Sequence, residues 1–147
     1  MHEPLCLKFV IRMMKVLLIC FALLFIEGNF NLAIEIEGLP STKGNVFIGL
    51  FDSNKDFPIF GKQLKGVVVK IQGQKVIYEF KNLAQGKYAL AVYHDENKNG
   101  KLDKNVFGAP TEYYGFSNNA REIFSAPSFQ DASFVLNSDK KIKILLK

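Results

Sequence analysis

Between two apolar runs the chain reads His94-Asp95-Glu96-Asn97-Lys98-Asn99-Gly100-Lys101-Leu102-Asp103. Oxygen-bearing side chains fall at every second position, and a glycine follows the third. A hard cation needs that pattern: Asp95, Asn97 and Asn99 can turn their oxygens to a common centre while Gly100 curls the backbone. Set on the calcium-loop template, Asp95 takes position 1, Asn97 position 3, Asn99 position 5 and Gly100 position 6. Lys101 offers its backbone carbonyl at position 7, and Asp103 falls on position 9. Position 12, where such loops place a bidentate Glu, is Val106. The loop therefore lacks its closing ligand, and Glu112 and Asp131 are the later carboxylates available to complete it. Two carboxylates and two amides carry less charge than a full EF-hand loop, so the expected calcium affinity is weak, about 10⁻⁴–10⁻³ M. The plainer reading is a connection in which Asp and Asn cap their own backbone.

The run from Glu112 to Asn119 is the second candidate. Tyr113, Tyr114 and Phe116 with Asn118 and Asn119 are residue types of a surface that binds cell-surface carbohydrate or protein, where rings stack and amides specify. They equally suit a long loop packed on its own sheet. Catalytic sets are sparse. Beyond the N-terminal segment the chain keeps one histidine, His94, and no cysteine, so zinc sites of the usual His/Cys kind cannot be assembled. No nucleophile-elbow motif is present. A hydrolase of carbohydrate or peptide would have to use Glu112, Asp131 or His94, and nothing fixes the separation of the two carboxylates. His94, at the end of a strand-like run, reads first as a support for the loop. The expectation is a non-catalytic module, with that hydrolase as the alternative.

These residues must be held by a compact scaffold. The chain has 147 residues, 48% apolar and 22% charged, the balance of one globular domain. Fourteen Phe and five Tyr, against no Trp, supply the bulk of its core. At the N-terminus, Met13-Met14-Lys15 precedes an apolar run from Val16 to Ile26. That run is shorter than the roughly 20 residues of a membrane span and has the charge order of a secretory signal. Residues 1–28 are thus expected to be removed, leaving a domain over 29–147 that is periplasmic or secreted and has no stable membrane span. Both cysteines, Cys6 and Cys20, fall in the removed part. The net charge of +5 is scattered apart from Lys140, Lys141 and Lys143, so no concentrated basic face for nucleic acid is expected.

Leu32, Ile34 and Ile36 alternate with Ala33, Glu35 and Glu37, the period of a half-buried strand. Val46 to Phe51 and Tyr88 to Tyr93 read as central strands. Between them, Asp52 to Lys65 is a loop whose Phe57, Ile59 and Phe60 either fold over the core or line a pocket. Val67–Ile71 and Val76–Phe80 flank Gln72-Gly73-Gln74-Lys75 as a hairpin. Gly86-Lys87-Tyr88 suggests a corner in which the Tyr hydroxyl meets backbone. The chain then reads as loop from Lys104 until the strands Ala132–Leu136 and Lys140–Leu146. The pattern predicts an all-β antiparallel sandwich of about seven strands, Ig-like in class, without a helix.

The block Gly86 to Asp103 resembles the signature of an uncharacterised bacterial family, domain of unknown function 2141. Phe107-Gly108-Ala109-Pro110-Thr111-Glu112, Tyr114 to Ala120, Pro127-Ser128-Phe129 and Asp131 to Phe134 are similar to its following blocks, in order. The resemblance implies an exported protein of Gram-negative bacteria and carries no assigned activity. The Gly-x-Tyr corner and strand count resemble, more loosely, transthyretin-like and carboxypeptidase-regulatory-like sandwiches.

Overall fold

The computed structural model describes residues 28–147; the signal-like run and both cysteines lie outside the described residues. Among the described residues eight strands form two sheets. In chain order they are β1 (Asn29–Glu37), β2 (Asn45–Phe51), β3 (Lys65–Lys70), β4 (Val76–Ala84), β5 (Gly86–Asp95), β6 (Tyr114–Phe116), β7 (Phe134–Leu136) and β8 (Lys140–Leu145). One sheet has the order β4-β1-β8, and the other β3-β2-β5-β6, with β7 pairing the start of β5. The pairs are antiparallel except β1 with β8, which is parallel. The chain is an all-β sandwich.

Alternation sets the inner faces. Leu32, Ile34 and Ile36 of β1 and Val46, Ile48 and Leu50 of β2 are fully buried. They pack with Leu90 and Val92 of β5 and Ile144 of β8 in one cluster. Each such side chain contributes about 1.5–3 kcal/mol on burial, so this layer dominates stability. A second cluster covers the far side of the five-strand sheet: Phe51, Phe57, Ala89, Phe116, Phe129 and Ala132. Phe57 lies edge-on to Phe51 at 5.3 Å, Phe116 at 5.7 Å and Phe129 at 5.9 Å. The loop Asp52 to Leu64 thus folds over the sheet through Phe57, while Ile59 and Phe60 stay exposed.

Three sequence expectations change. The segments around Gln72–Lys75 do not form a hairpin: β3 pairs with β2 and β4 with β1, so the turn arches between sheets. The reason is that Ile71 and Val76, on either side of it, are both buried in the shared core. Tyr114 to Phe116, read as loop, is an eighth strand on β5. Phe129–Ala132 is a single-turn helix, α1, where none is expected. The side chain of Ser128 accepts the N–H of Asp131 at its start, and Phe129 and Ala132 bury its inner side.

The corner is present. The Tyr88 hydroxyl donates to the Ala84 carbonyl at 2.9 Å, closing the turn between β4 and β5. On the outer face of β1, Glu35 is nearly buried between Lys75 and Lys141. Hydrogen bonds from those two ammonium groups, Lys141 first, hold its carboxyl at about 2.

Candidate cation site

Strand β5 delivers the loop. Its inward alternation of Tyr88, Leu90 and Val92 continues to His94, which is 1% exposed. A ring nitrogen of His94 lies 2.6 Å from the Lys43 carbonyl, and its backbone N–H donates to the Tyr113 carbonyl at 2.8 Å. Gly44 has φ +76° beside this contact, and a Cβ there would stand 2.2 Å from the Asp95 carbonyl. The backbone therefore presses against the strand end, where only glycine fits. The strand end is anchored before the loop begins.

Asp95, 5% exposed, then organises the turn. Its Oδ1 accepts the N–H of Asn99 at 3.0 Å and its Oδ2 that of Gly100 at 2.9 Å. Asn97 Oδ1 also accepts Asn99 N–H at 3.0 Å, and Asn99 Oδ1 accepts Lys101 N–H at 2.9 Å. Lys98 and Gly100 adopt left-handed backbone, φ 62° and 75°. The side-chain amides of Asn97 and Asn99 donate to Asp103 Oδ2 at 2.6 Å and Oδ1 at 2.8 Å. Glu112 closes the mouth: Oε1 accepts Glu96 N–H at 3.1 Å and Oε2 accepts Asp103 N–H at 3.0 Å.

Asp95, Asn97, Asn99, Lys101, Asp103 and Glu112 are thus brought together on one loop and its root. The side-chain oxygens of Asp95, Asn97, Asn99, Asp103 and Glu112 accept from N–H groups. Among the described residues no group of three or more His, Cys, Asp or Glu is disposed as a metal cluster. The donor set is instead mixed, carboxylates with amide and main-chain carbonyls, all of them hard oxygens suited to calcium-class cations. The negative character of the site is felt next door. Burial, then the charges of Asp95 and Glu112, push the Tyr93 hydroxyl up to about 12.

The aromatic and amide run is placed differently. Phe116 is buried against Phe57, and Tyr114 is half-buried beneath the Arg121 guanidinium, 5.6 Å from its ring centre. Asn118 and Asn119 take left-handed backbone, which Asn tolerates better than most residues. Asn118 Nδ2 donates to the carbonyls of Asp131 at 3.0 Å and Ser133 at 2.9 Å, and Asn119 Oδ1 accepts Leu145 N–H at 2.8 Å. Of the three rings Tyr113 is the open one, 43% exposed, and Asn118 and Asn119 are exposed as well while bonded to backbone.

Nor do His94, Glu112 and Asp131 meet. Asp131 shares a hydrogen bond with the Ser128 hydroxyl at the start of α1. That helix lies near the first half of β5: Gln130 accepts from Lys87, and Ser117 links the Ala132 carbonyl to Leu90 N–H. Glu112 is at the Asp95 end. Leu90 and Asp95 are about 17 Å apart along an extended strand.

Ser117 escapes sequence reasoning. It is fully buried and stands in for a ladder partner, accepting Leu90 N–H at 2.8 Å where β6 stops. No local pattern marks it. The cap at α1 does have a signal, the Ser128-x-x-Asp131 spacing, a variant of the capping box.

Among the described residues no helix is long and apolar enough to cross a membrane. Comparison with curated proteins and with solved structures yields no match. A family model described as "uncharacterized protein conserved in bacteria (DUF2141)" matches residues 34–144, and the chain belongs to that family.

Proposed function

We propose that this is an exported, non-catalytic β-sandwich module, periplasmic or secreted, whose Asp95–Asp103 loop takes a calcium-class cation that stiffens one end of the sandwich. The observation that supports the reading is Glu112, whose carboxylate accepts backbone N–H groups at both ends of the loop and so lies beside a loop that lacks a glutamate at position 12. The residues that would hold it are Asp95, Asn97, Asn99 and Asp103 through side chains, Lys101 through its carbonyl, and Glu112. For Asp103 to hold an ion, the amide donors of Asn97 and Asn99 that now bond its carboxylate would have to turn away. The curl made by Asp95 on Asn99 and Gly100 N–H is compatible with an ion, because a carboxylate oxygen keeps a free lone pair while accepting one N–H. The module would serve a structural role or present its loops to a cell-surface carbohydrate or protein, with Tyr113 the ring best placed for contact.

A hydrolase using Glu112, Asp131 or His94 is the alternative; Asp131 lies by the first half of β5, away from Glu112 and His94 at its last residues, and His94 is buried against the Lys43 carbonyl. Thermal melting in EDTA and in calcium tests the proposal. With a dissociation constant of about 1 mM, roughly 10 mM calcium stabilises by about 1.4 kcal/mol. That corresponds to a rise of about 3–6 °C in midpoint for a domain of this size. An unchanged midpoint would count against the cation.

A further inference from the structure

The two sheets end in edge strands: β4 and β8 in one, β3 and β6 with β7 in the other. On one side the sheets close on each other. Tyr114 of β6 and Lys147 just beyond β8 exchange N–H to carbonyl bonds in both directions, each at 3.2 Å. Asn119 takes the Leu145 N–H, and the Arg121 guanidinium donates to the Tyr114 and Leu145 carbonyls. On the other side, where the arch joins β3 to β4, no hydrogen bond ties the two edges among the described residues.

Of these two open edges, β4 is guarded. Phe30 pairs with Leu83 and Leu32 with Phe80, so Lys81 and Asn82 bulge opposite Asn31, and Asn82 takes left-handed backbone, φ 55°. A bulge with a charge on it keeps an edge from pairing. β3 has no bulge. Its ladder with β2 is regular from Lys65 to Lys70, and between those lysines it reads Gly66-Val67-Val68-Val69. Val67 and Val69 pack on the core, whereas Val68 faces outward and is 60% exposed. Apolar surface continues beside it: Val68 stands opposite Phe47 of β2, whose ring lies 5.3 Å from that of Phe60, itself 59% exposed.

We propose that β3 is a dimerisation edge, pairing antiparallel with β3 of a second copy about a two-fold axis at Val68. The register follows from the ladder. Residues directly opposite in an antiparallel pair either exchange both backbone bonds or exchange neither. Alternate residues turn those bonds to the free edge, so a strand that meets its own copy sets each residue opposite one of the same parity. Lys65 and Lys70 differ in parity and never face each other. With the axis at Val68, Val68 meets Val68, Val67 meets Val69 and Gly66 meets Lys70. Moving the axis to Val67 would set Lys65 against Val69, and moving it to Val69 would set Lys70 against Val68. The central register alone matches valine with valine on both faces and leaves no like charges opposite, the pairing a cross-strand ladder favours. A two-fold interface uses one patch on both subunits, and this edge is complementary to itself. The inference does not depend on the cation reading.

Sedimentation of the full chain tests it, in EDTA so that the outcome leaves the cation site unaffected and with the N-terminal apolar run common to every variant. A one-strand interface is small and weak, so wild type should pass from monomer to dimer between about 1 μM and 1 mM. Val68→Lys and Val68→Glu each put two like charges on the axis and should raise the dissociation constant about tenfold or more. Mixed in equal amounts, these two variants should dimerise again, lysine against glutamate, a rescue open only to a residue that stands opposite itself. The position is exposed, and matching melting curves confirm the fold of each variant. In a Cys6→Ser/Cys20→Ser background, Val68→Cys should oxidise to a linked dimer, since opposite Cα atoms about 4.5–5.5 Å apart lie within reach of a disulfide. Ile77→Cys, on β4 and equally exposed, should not. Wild type that stays monomeric at about 1 mM would overturn the edge. So would a dimer that Val68→Lys leaves intact, a charge-swapped mixture that stays monomeric, or Val68→Cys linking no faster than Ile77→Cys.

Discussion

One carboxylate oxygen of Glu112 accepts the backbone N–H of Asp103 at 3.0 Å, across the whole hairpin that separates them in sequence. The other accepts Glu96 N–H at 3.1 Å, so a single side chain ties the two ends of the loop. A loop already closed in this way would have less conformational freedom to lose on taking the proposed ion, which would help a donor set of modest charge.

Replacing Glu112 by Gln should therefore act twice. A neutral amide has one acceptor oxygen, so one of the two N–H bonds is lost, at about 1–2 kcal/mol by urea denaturation. Calcium affinity by calorimetry should fall by more than that stability change alone would produce, because a charged ligand is gone.

His94 is buried at the end of β5 against the Lys43 carbonyl. His94→Ala removes a buried ring and leaves the Lys43 carbonyl without its partner, at an expected cost of about 2–4 kcal/mol. Urea midpoints measure it. A loss below about 0.5 kcal/mol would show that the ring does not anchor the strand end.

Tyr88→Phe isolates the corner. It deletes only the hydroxyl bonded to Ala84 and keeps the buried ring. The expected loss is about 1 kcal/mol, again from urea unfolding.

Glu35 gives a dependence on pH with a definite sign. Its carboxyl is lowered from 4.5 to about 2 by hydrogen bonds from Lys141 and Lys75. A depressed carboxyl contributes stability that is complete above its unfolded value and is lost as pH falls through its folded value. Between pH 4.5 and about 2, wild type should lose stability progressively. Glu35→Gln should show a flatter profile over the same window, measured by denaturation at fixed pH.

Much of the loop was legible in the sequence because its bonds are local. Asp95, Asn97 and Asn99 act on N–H groups two to five residues ahead, and spacing alone reveals that. The role of Glu112 was not, since it stands at the loop only because Tyr114 pairs with Tyr93, a long-range contact. For the same reason spacing could not separate Glu112 from Asp131, which lies in the first turn of α1 with its carboxylate accepting from the capping Ser128 hydroxyl. The core strands followed from alternation at Leu32, Ile34 and Ile36. The arch at Gln72–Lys75 did not, because a turn between sheets and a hairpin turn share one composition. The aromatic run left two readings open for a related reason: Tyr114 and Phe116 cover a sheet, and Asn118 and Asn119 bind backbone, roles that residue type does not distinguish from recognition.

The most direct measurement is a calcium titration followed residue by residue in ¹H–¹⁵N spectra, with magnesium as control. The account predicts saturable shifts centred on the amides of Glu96, Asn99, Gly100, Lys101 and Asp103, with a midpoint near 10⁻⁴–10⁻³ M, and their loss in Asp95→Asn. Spectra unchanged through roughly 10 mM calcium, about ten times the weakest affinity expected of such a site, or shifts that survive Asp95→Asn, would contradict it.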